Sequence, residues 1–221
     1  MQSDAIKIFV DSADRTVAER WLVAGVATGL TTNPTILRRA NAHLSDIHEI
    51  AEWAQGAGAR EVCFQTWGGS SEEWYENAER LLEVVPWATI KVPCTESGAR
   101  VAARLQAQGV PILLTAGYAA KQMLVASALG VRYFAPYFNR MNIHGRDALA
   151  EFATMVQIVP QTGDATRVMA ASVKSAADVL LLAKVGVRTF TLAPEVLTDL
   201  LSDDLTDHAV GEFESDMRTV L

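Results

Sequence analysis

Along the chain, short apolar runs alternate with longer amphipathic ones. The runs are residues 6–11 (IKIFVD), 28–33 (TGLTTN), 61–65 (EVCFQ), 89–93 (TIKVP), 111–115 (PILLT), 132–137 (RYFAPY), 167–172 (RVMAAS) and 189–193 (TFTLA). Each is short and carries Ile, Val, Phe or Thr, as strands do. Between them lie helix-like stretches such as TVAERWLVAG, SSEEWYENAERLLEVV, SGARVAARLQAQG, AKQMLVASALG and SAADVLLLAKVG. Several open on a Ser or Asp cap and stop at Gly109, Gly130 or Gly186. Eight strands separated by helices make eight βα units, which predicts an α/β protein closed into a (β/α)8 TIM barrel. A doubly wound open sheet competes, but it usually has fewer strands and a glycine turn for phosphate after the first. Here the first strand runs into Asp-Ser-Ala-Asp. No linker or charge block divides the chain, so residues 1–221 read as one barrel domain, with 202–221 as an additional C-terminal helix. That tail holds six acidic residues and is expected to be a solvated helix closing the barrel bottom.

Alternation within the strands sorts their faces. Ile90 and Val92 oppose Thr89 and Lys91; Ile8 and Val10 oppose Phe9 and Asp11; Val62 and Phe64 oppose Cys63 and Gln65; Ile112 and Leu114 oppose Leu113 and Thr115. In a barrel the apolar face packs on the helices and the other points to the axis. Asp11, Gln65, Lys91 and Thr115 therefore converge on one central region. Thr31, Asn33, Tyr137 and Ser172 stand at comparable strand ends. Barrel enzymes keep their chemistry at these C-terminal ends.

Lys91 is the sharpest candidate, one of only five lysines against fourteen arginines. A buried lysine loses its charge readily, and a neutral amine can attack a ketone to form a Schiff base. The competing reading is an inward lysine held in a structural ion pair with Asp11. Other candidates also have plain structural readings. Asn33 before Pro34 is a good helix cap, Arg140 and Lys174 could be surface charges, and Gln65 and Thr115 could be satisfied core residues. His43, His48, His144 and His208 show no metal-ligand spacing, and HExxH, P-loop, GxGxxG and GxSxG motifs are absent. The five tryptophans lie on or beside helices and are expected to pack helix against barrel.

Composition narrows the function classes. A chain of 221 residues with a formal charge of −7 and no basic block argues against nucleic acid or an anionic membrane as main partner. Cys63 and Cys94 form no CxxC pair, which fits a reducing compartment. The N-terminus lacks the parts of a secretory signal. The longest uncharged stretch, 105–120, contains Gly109 and Pro111, wrong for a membrane span. A cytoplasmic protein is expected.

The set VDSAD, GLTTNPTIL, TIKVPCTESG, ILLTAGY, APYFNR and MAASVKS resembles the transaldolase family of class I aldolases in its short microbial form, from the first strand to about residue 192. The resemblance implies a (β/α)8 barrel with a Schiff-base lysine on the fourth strand, matching Lys91. It also implies that Asp11 acts near the substrate's C4 hydroxyl, that Asn33 and Thr31 hold donor hydroxyls, and that Arg140 and Ser172 grip a phosphate. Transaldolases of this kind carry a glutamate on the third strand and usually a phenylalanine near the end of the sixth. Gln65 and Tyr137 stand there instead, a combination similar to the fructose-6-phosphate aldolase branch, in which a tyrosine with Gln and Thr (here Thr115) manages the catalytic water. An amide cannot shuttle a proton and a phenol can. The loop Met-Asn-Ile-His-Gly after Arg140 and the Trp67-Gly-Gly turn depart from the family pattern and flank the site.

The expected function is Schiff-base cleavage or formation of the C3–C4 bond of a ketose phosphate, with fructose 6-phosphate giving dihydroxyacetone and glyceraldehyde 3-phosphate. Neither metal nor organic cofactor is expected. Transaldolase transfer between sugar phosphates of the pentose phosphate pathway is the near alternative. A non-catalytic sugar-phosphate-binding barrel and a metal-dependent aldolase are more distant. The family also implies a homo-oligomer, a pentameric ring or a decamer, with the terminal helix reaching a neighbour.

Overall fold

The computed structural model describes residues 5–162 and 166–221. The first four residues of the N-terminus read above lie outside them. Eight parallel strands close into a barrel in chain order: β1 (Lys7–Asp11), β2 (Gly29–Thr31), β3 (Glu61–Gln65), β4 (Thr89–Pro93), β5 (Ile112–Gly117), β6 (Tyr133–Pro136), β7 (Arg167–Ala170) and β8 (Thr189–Leu192). The helices are α1 (Arg15–Val23), α2 (Pro34–Arg39), α3 (Ile47–Gly56), α4 (Ser71–Val84), α5 (Glu96–Gln106), α6 (Lys121–Leu129), α7 (Phe138–Ile143), α8 (Ala148–Thr162), α9 (Ala176–Lys184), α10 (Pro194–Asp199) and α11 (Asp204–Val220). The barrel predicted from the alternation is the fold found.

The two faces of each strand separate as expected. Val10, Val62, Phe64, Ile90, Val92, Ile112 and Leu114 join the large core between strands and helices. Phe9, Cys63, Leu113, Tyr133, Ala135, Met169 and Ala171 form a second, smaller core along the axis. Phe9 reaches that axis because its ladder partner is Gly29. A Cβ at Gly29 would stand 2.5 Å from the Phe9 ring and 2.8 Å from the Glu61 carbonyl, so no larger residue fits without moving backbone. All five tryptophans pack into or against the outer core.

Local chemistry sets the element ends. The side chains of Asp14, Asn33, Ser70, Thr95 and Ser175 accept from backbone N–H groups at the starts of α1, α2, α4, α5 and α9, each cap contributing about 1 kcal/mol. The runs predicted over 28–33, 132–137 and 167–172 pair over fewer residues, because Asn33 and Tyr137 already serve as caps of α2 and α7. Ser172 ends β7 differently, with a left-handed φ of 56°. β5 runs two residues further than expected through a register shift between Thr115 and Gly117, where Ala116 has φ 58°.

The tail differs from expectation in one respect. It is helical, but α11 has no buried residue, so it does not close the barrel. Leu205, Phe213 and Met217 recur four or eight residues apart and all three are exposed. The apolar stripe of this helix is left uncovered by the described residues.

Candidate active site

The strands deliver polar groups to the C-terminal mouth of the barrel. A cavity of about 250 Å³ there is lined by Asp11, Asn33, Lys91, Thr115, Tyr137, Arg140 and Ser172 among others. Seven of the nine residues selected from the sequence are thereby brought together. Larger hollows lie elsewhere, of about 640 Å³ beside β3, about 600 Å³ at the opposite end of the barrel and about 560 Å³ between α6 and α8. None of these touches Lys91, so the smaller central cavity is the one with the chemistry.

Lys91 is only 4 % exposed. Its Nζ donates to the Thr32 carbonyl at 2.7 Å. No ion pair joins it to Asp11 among the described residues, which removes the structural-pair reading. Asp11 instead accepts at Oδ1 from the Thr31 hydroxyl at 2.6 Å. Cys63 lies in the axial core, and burial first of all pushes its thiol up to about 12. It is therefore protonated at neutral pH and no rival nucleophile.

Tyr137 is fixed from three sides. Its hydroxyl is 3.0 Å from Thr115 Oγ1, the Tyr118 ring meets it edge-on at 5.6 Å, and the Arg140 guanidinium lies 4.9 Å over its ring, within cation–π range. Arg140 is held above its ordinary value, first by a hydrogen bond with Tyr118 and against the opposing effect of burial. Asn33 is a helix cap, its Oδ1 accepting from Ile36 N–H at 3.0 Å. Its amide donors are not used by that bond, so capping and lining the cavity coexist.

Two expected residues stand elsewhere. Thr31 is completely buried and does not line the cavity. Its hydroxyl backs Asp11. Gln65 is the ladder partner of Lys91 but borders the hollow beside β3, together with Trp67, Leu37 and His43. The structure adds Thr191, Asn139, Arg39 and Lys174 to the lining. The alternation T-F-T-L is the signal that could have placed Thr191 inward, opposite Phe190 and Leu192, which join the outer core. Arg39, on exposed α2, carried no such signal. Arg39, Arg140 and Lys174 line the mouth, and among the described residues none of their side chains forms an ion pair, an environment suited to an anion. A buried amine, a nearby carboxylate, a phenol–hydroxyl pair and a cationic rim together suit covalent chemistry on an anionic carbonyl compound. No cluster of three or more His, Cys, Asp or Glu side chains suited to a metal occurs among the described residues.

Comparison with known proteins agrees. A solved thiamine phosphate pyrophosphorylase from Pyrococcus furiosus superposes with a TM-score of 0.59 over 85 % of both chains at 14 % identity, a likeness of fold alone. A protein of Anaeromyxobacter sp. (strain K) named "Probable transaldolase" is 31 % identical over 97 % of this chain and 98 % of its own length. One of the same name from Kosmotoga olearia is 31 % identical over 96 % and 95 %. The family model described as transaldolase/fructose-6-phosphate aldolase matches residues 8–221. The lysine-bearing barrel thus belongs to the transaldolase/fructose-6-phosphate aldolase family, whose members are aldolase-type enzymes of carbohydrate metabolism.

Proposed function

We propose that this chain is a class I aldolase that breaks or makes the C3–C4 bond of a ketose phosphate, with fructose 6-phosphate giving dihydroxyacetone and glyceraldehyde 3-phosphate. The observation that carries this reading is Lys91, an inward amine in the central cavity with no carboxylate partner among the described residues. Its nitrogen adds to the C2 ketone and water leaves, producing an iminium. Asp11 takes the C4 hydroxyl proton. The C3–C4 bond breaks, its electron pair passes into the enamine, and the aldehyde departs. Tyr137, paired with Thr115, delivers a proton to C3 through water, and a second water hydrolyses the iminium to release dihydroxyacetone. The iminium is the electron sink, so the scheme calls on no metal or organic cofactor. Arg140 and Ser172 hold the phosphate, with Lys174 and Arg39 completing the rim.

The second reading is transaldolase, in which the enamine is kept for another aldose phosphate. The name carried by the relatives favours it. Gln65 and Tyr137 favour the aldolase, because the amide cannot hold a shuttled proton and the phenol can. Fructose 6-phosphate without an acceptor separates the two. Sustained release of glyceraldehyde 3-phosphate is expected of the aldolase. A burst of at most one equivalent per site, resumed by erythrose 4-phosphate, identifies the transaldolase.

The same reading makes the protein a cytoplasmic homo-oligomer with small-molecule partners and neither nucleic acid nor membrane among them. The uncovered stripe of α11 supports self-association. Among the described residues no helix is long and apolar enough to cross a membrane.

A further inference from the structure

We propose that Thr191, on β8, is a positioning residue that acts through Thr31 to select which oxygen of Asp11 works on the substrate. The inference rests on the aldolase reading above. Three side chains from adjacent strands β8, β1 and β2 meet at the cavity wall, where Asp11 and Thr191 line the cavity and Thr31 stands behind them. Thr31 Oγ1 lies 2.6 Å from Asp11 Oδ1 and 2.5 Å from Thr191 Oγ1. Thr31 is wholly buried and Thr191 is 4 % exposed, so water does not readily replace either contact.

Counting protons gives the chain its direction. A threonine hydroxyl has one proton to donate. An ionised Asp11 only accepts, so the Thr31 proton goes to Oδ1. The contact between the two threonines must then be made by the Thr191 proton, with Thr31 oxygen as acceptor. Donation from Thr191 polarises the Thr31 hydroxyl and strengthens its bond to the carboxylate. It also keeps the Thr31 oxygen occupied and so fixes its rotor. Oδ1 is thereby committed to the protein. Oδ2 has no partner among the described residues and is the oxygen left for the C4 hydroxyl proton. This is the arrangement in which a third group orients a catalytic base.

A methyl in place of the Thr191 hydroxyl leaves Thr31 free to rotate and Asp11 free to offer the wrong oxygen. Iminium formation on Lys91 does not need Asp11 in that role. The defect should therefore appear in bond cleavage alone. The test compares wild type with Thr191→Val, Thr191→Ala and Thr191→Ser. Steady-state cleavage of fructose 6-phosphate and the extent of borohydride-trapped adduct are measured for each. The expected result is a fall in kcat of about tenfold for Val and Ala with KM within about twofold, the scale of one lost buried hydrogen bond. Adduct should form to the wild-type extent, and Ser should restore kcat to within about twofold. Unchanged kcat in Val and Ala would overturn the proposal. So would a Ser variant as slow as Val, which would mean that only the methyl packing matters, or loss of adduct in Val and Ala. Absence of adduct in the wild type would instead strike the aldolase reading itself, and the positioning role with it.

Discussion

The barrel carries an inward lysine near each end, and their surroundings are opposite. At the N-terminal end, Lys7 of β1 forms an ion pair with Glu61 of β3 and donates to Tyr133 of β6 at 2.9 Å. Tyr133 in turn donates to Glu61 at 2.8 Å, and Arg132 stands 3.3 Å from the same carboxylate. Burial alone would raise Glu61, but the bonds from Lys7 and Tyr133 and the charges of Lys7 and Arg132 outweigh it and hold it below its ordinary value. At the C-terminal end, Lys91 is more deeply buried than Lys7 and has one backbone carbonyl. A lysine whose donors are met by a carboxylate and a phenol is a plug. One left without a counter-charge beside a cavity is available as a reagent.

The strongest way to break this comparison is to exchange the fates of the two lysines. Lys91→Met is expected to lower turnover by at least about 10³-fold, as loss of a covalent nucleophile does. Lys7→Met should leave kcat within about threefold and lower stability instead. Comparable activity losses would contradict the distinction. The tyrosines sharpen it further. Tyr137→Phe removes the proposed proton carrier and should cost about 10²-fold in kcat, whereas Tyr133→Phe should change kcat by no more than about twofold. The smallest effect concerns pH. Glu61 is depressed in the folded state, so its stabilisation is present above the unfolded glutamate value of about 4.3 and is lost as pH falls through the lower folded value. Glu61→Gln should therefore cost about 1–3 kcal/mol at neutral pH. The variant's fall in Tm between about pH 6 and about pH 3 should be smaller than that of the wild type.

The strand faces were legible because a period of two is unambiguous once eight runs are aligned. That pattern alone placed Lys91, Asp11 and Thr115 at the axis. It was less informative where the backbone departs from ideal. Ser172 falls on the outward parity of β7, with Val168 and Ala170, and reaches the cavity because its left-handed φ turns the chain. Thr31 stands at a strand end as expected, yet no pattern says that it lies buried behind Asp11 and outside the cavity lining. Gln65 has the inward parity but borders the neighbouring hollow. Arg39 reaches the mouth from a helix whose residues are all at least partly exposed. The tail's amphipathic period showed a helix, but a stripe does not say which chain covers it.

The central claim is that Lys91, and not Lys7, is the nucleophile. The direct measurement treats the protein with dihydroxyacetone and sodium borohydride, then maps the reduced adduct by peptide mass spectrometry. The account predicts one adduct on Lys91, absent in Lys91→Met and retained in Lys7→Met. An adduct on Lys7, or no adduct on any lysine, would contradict it.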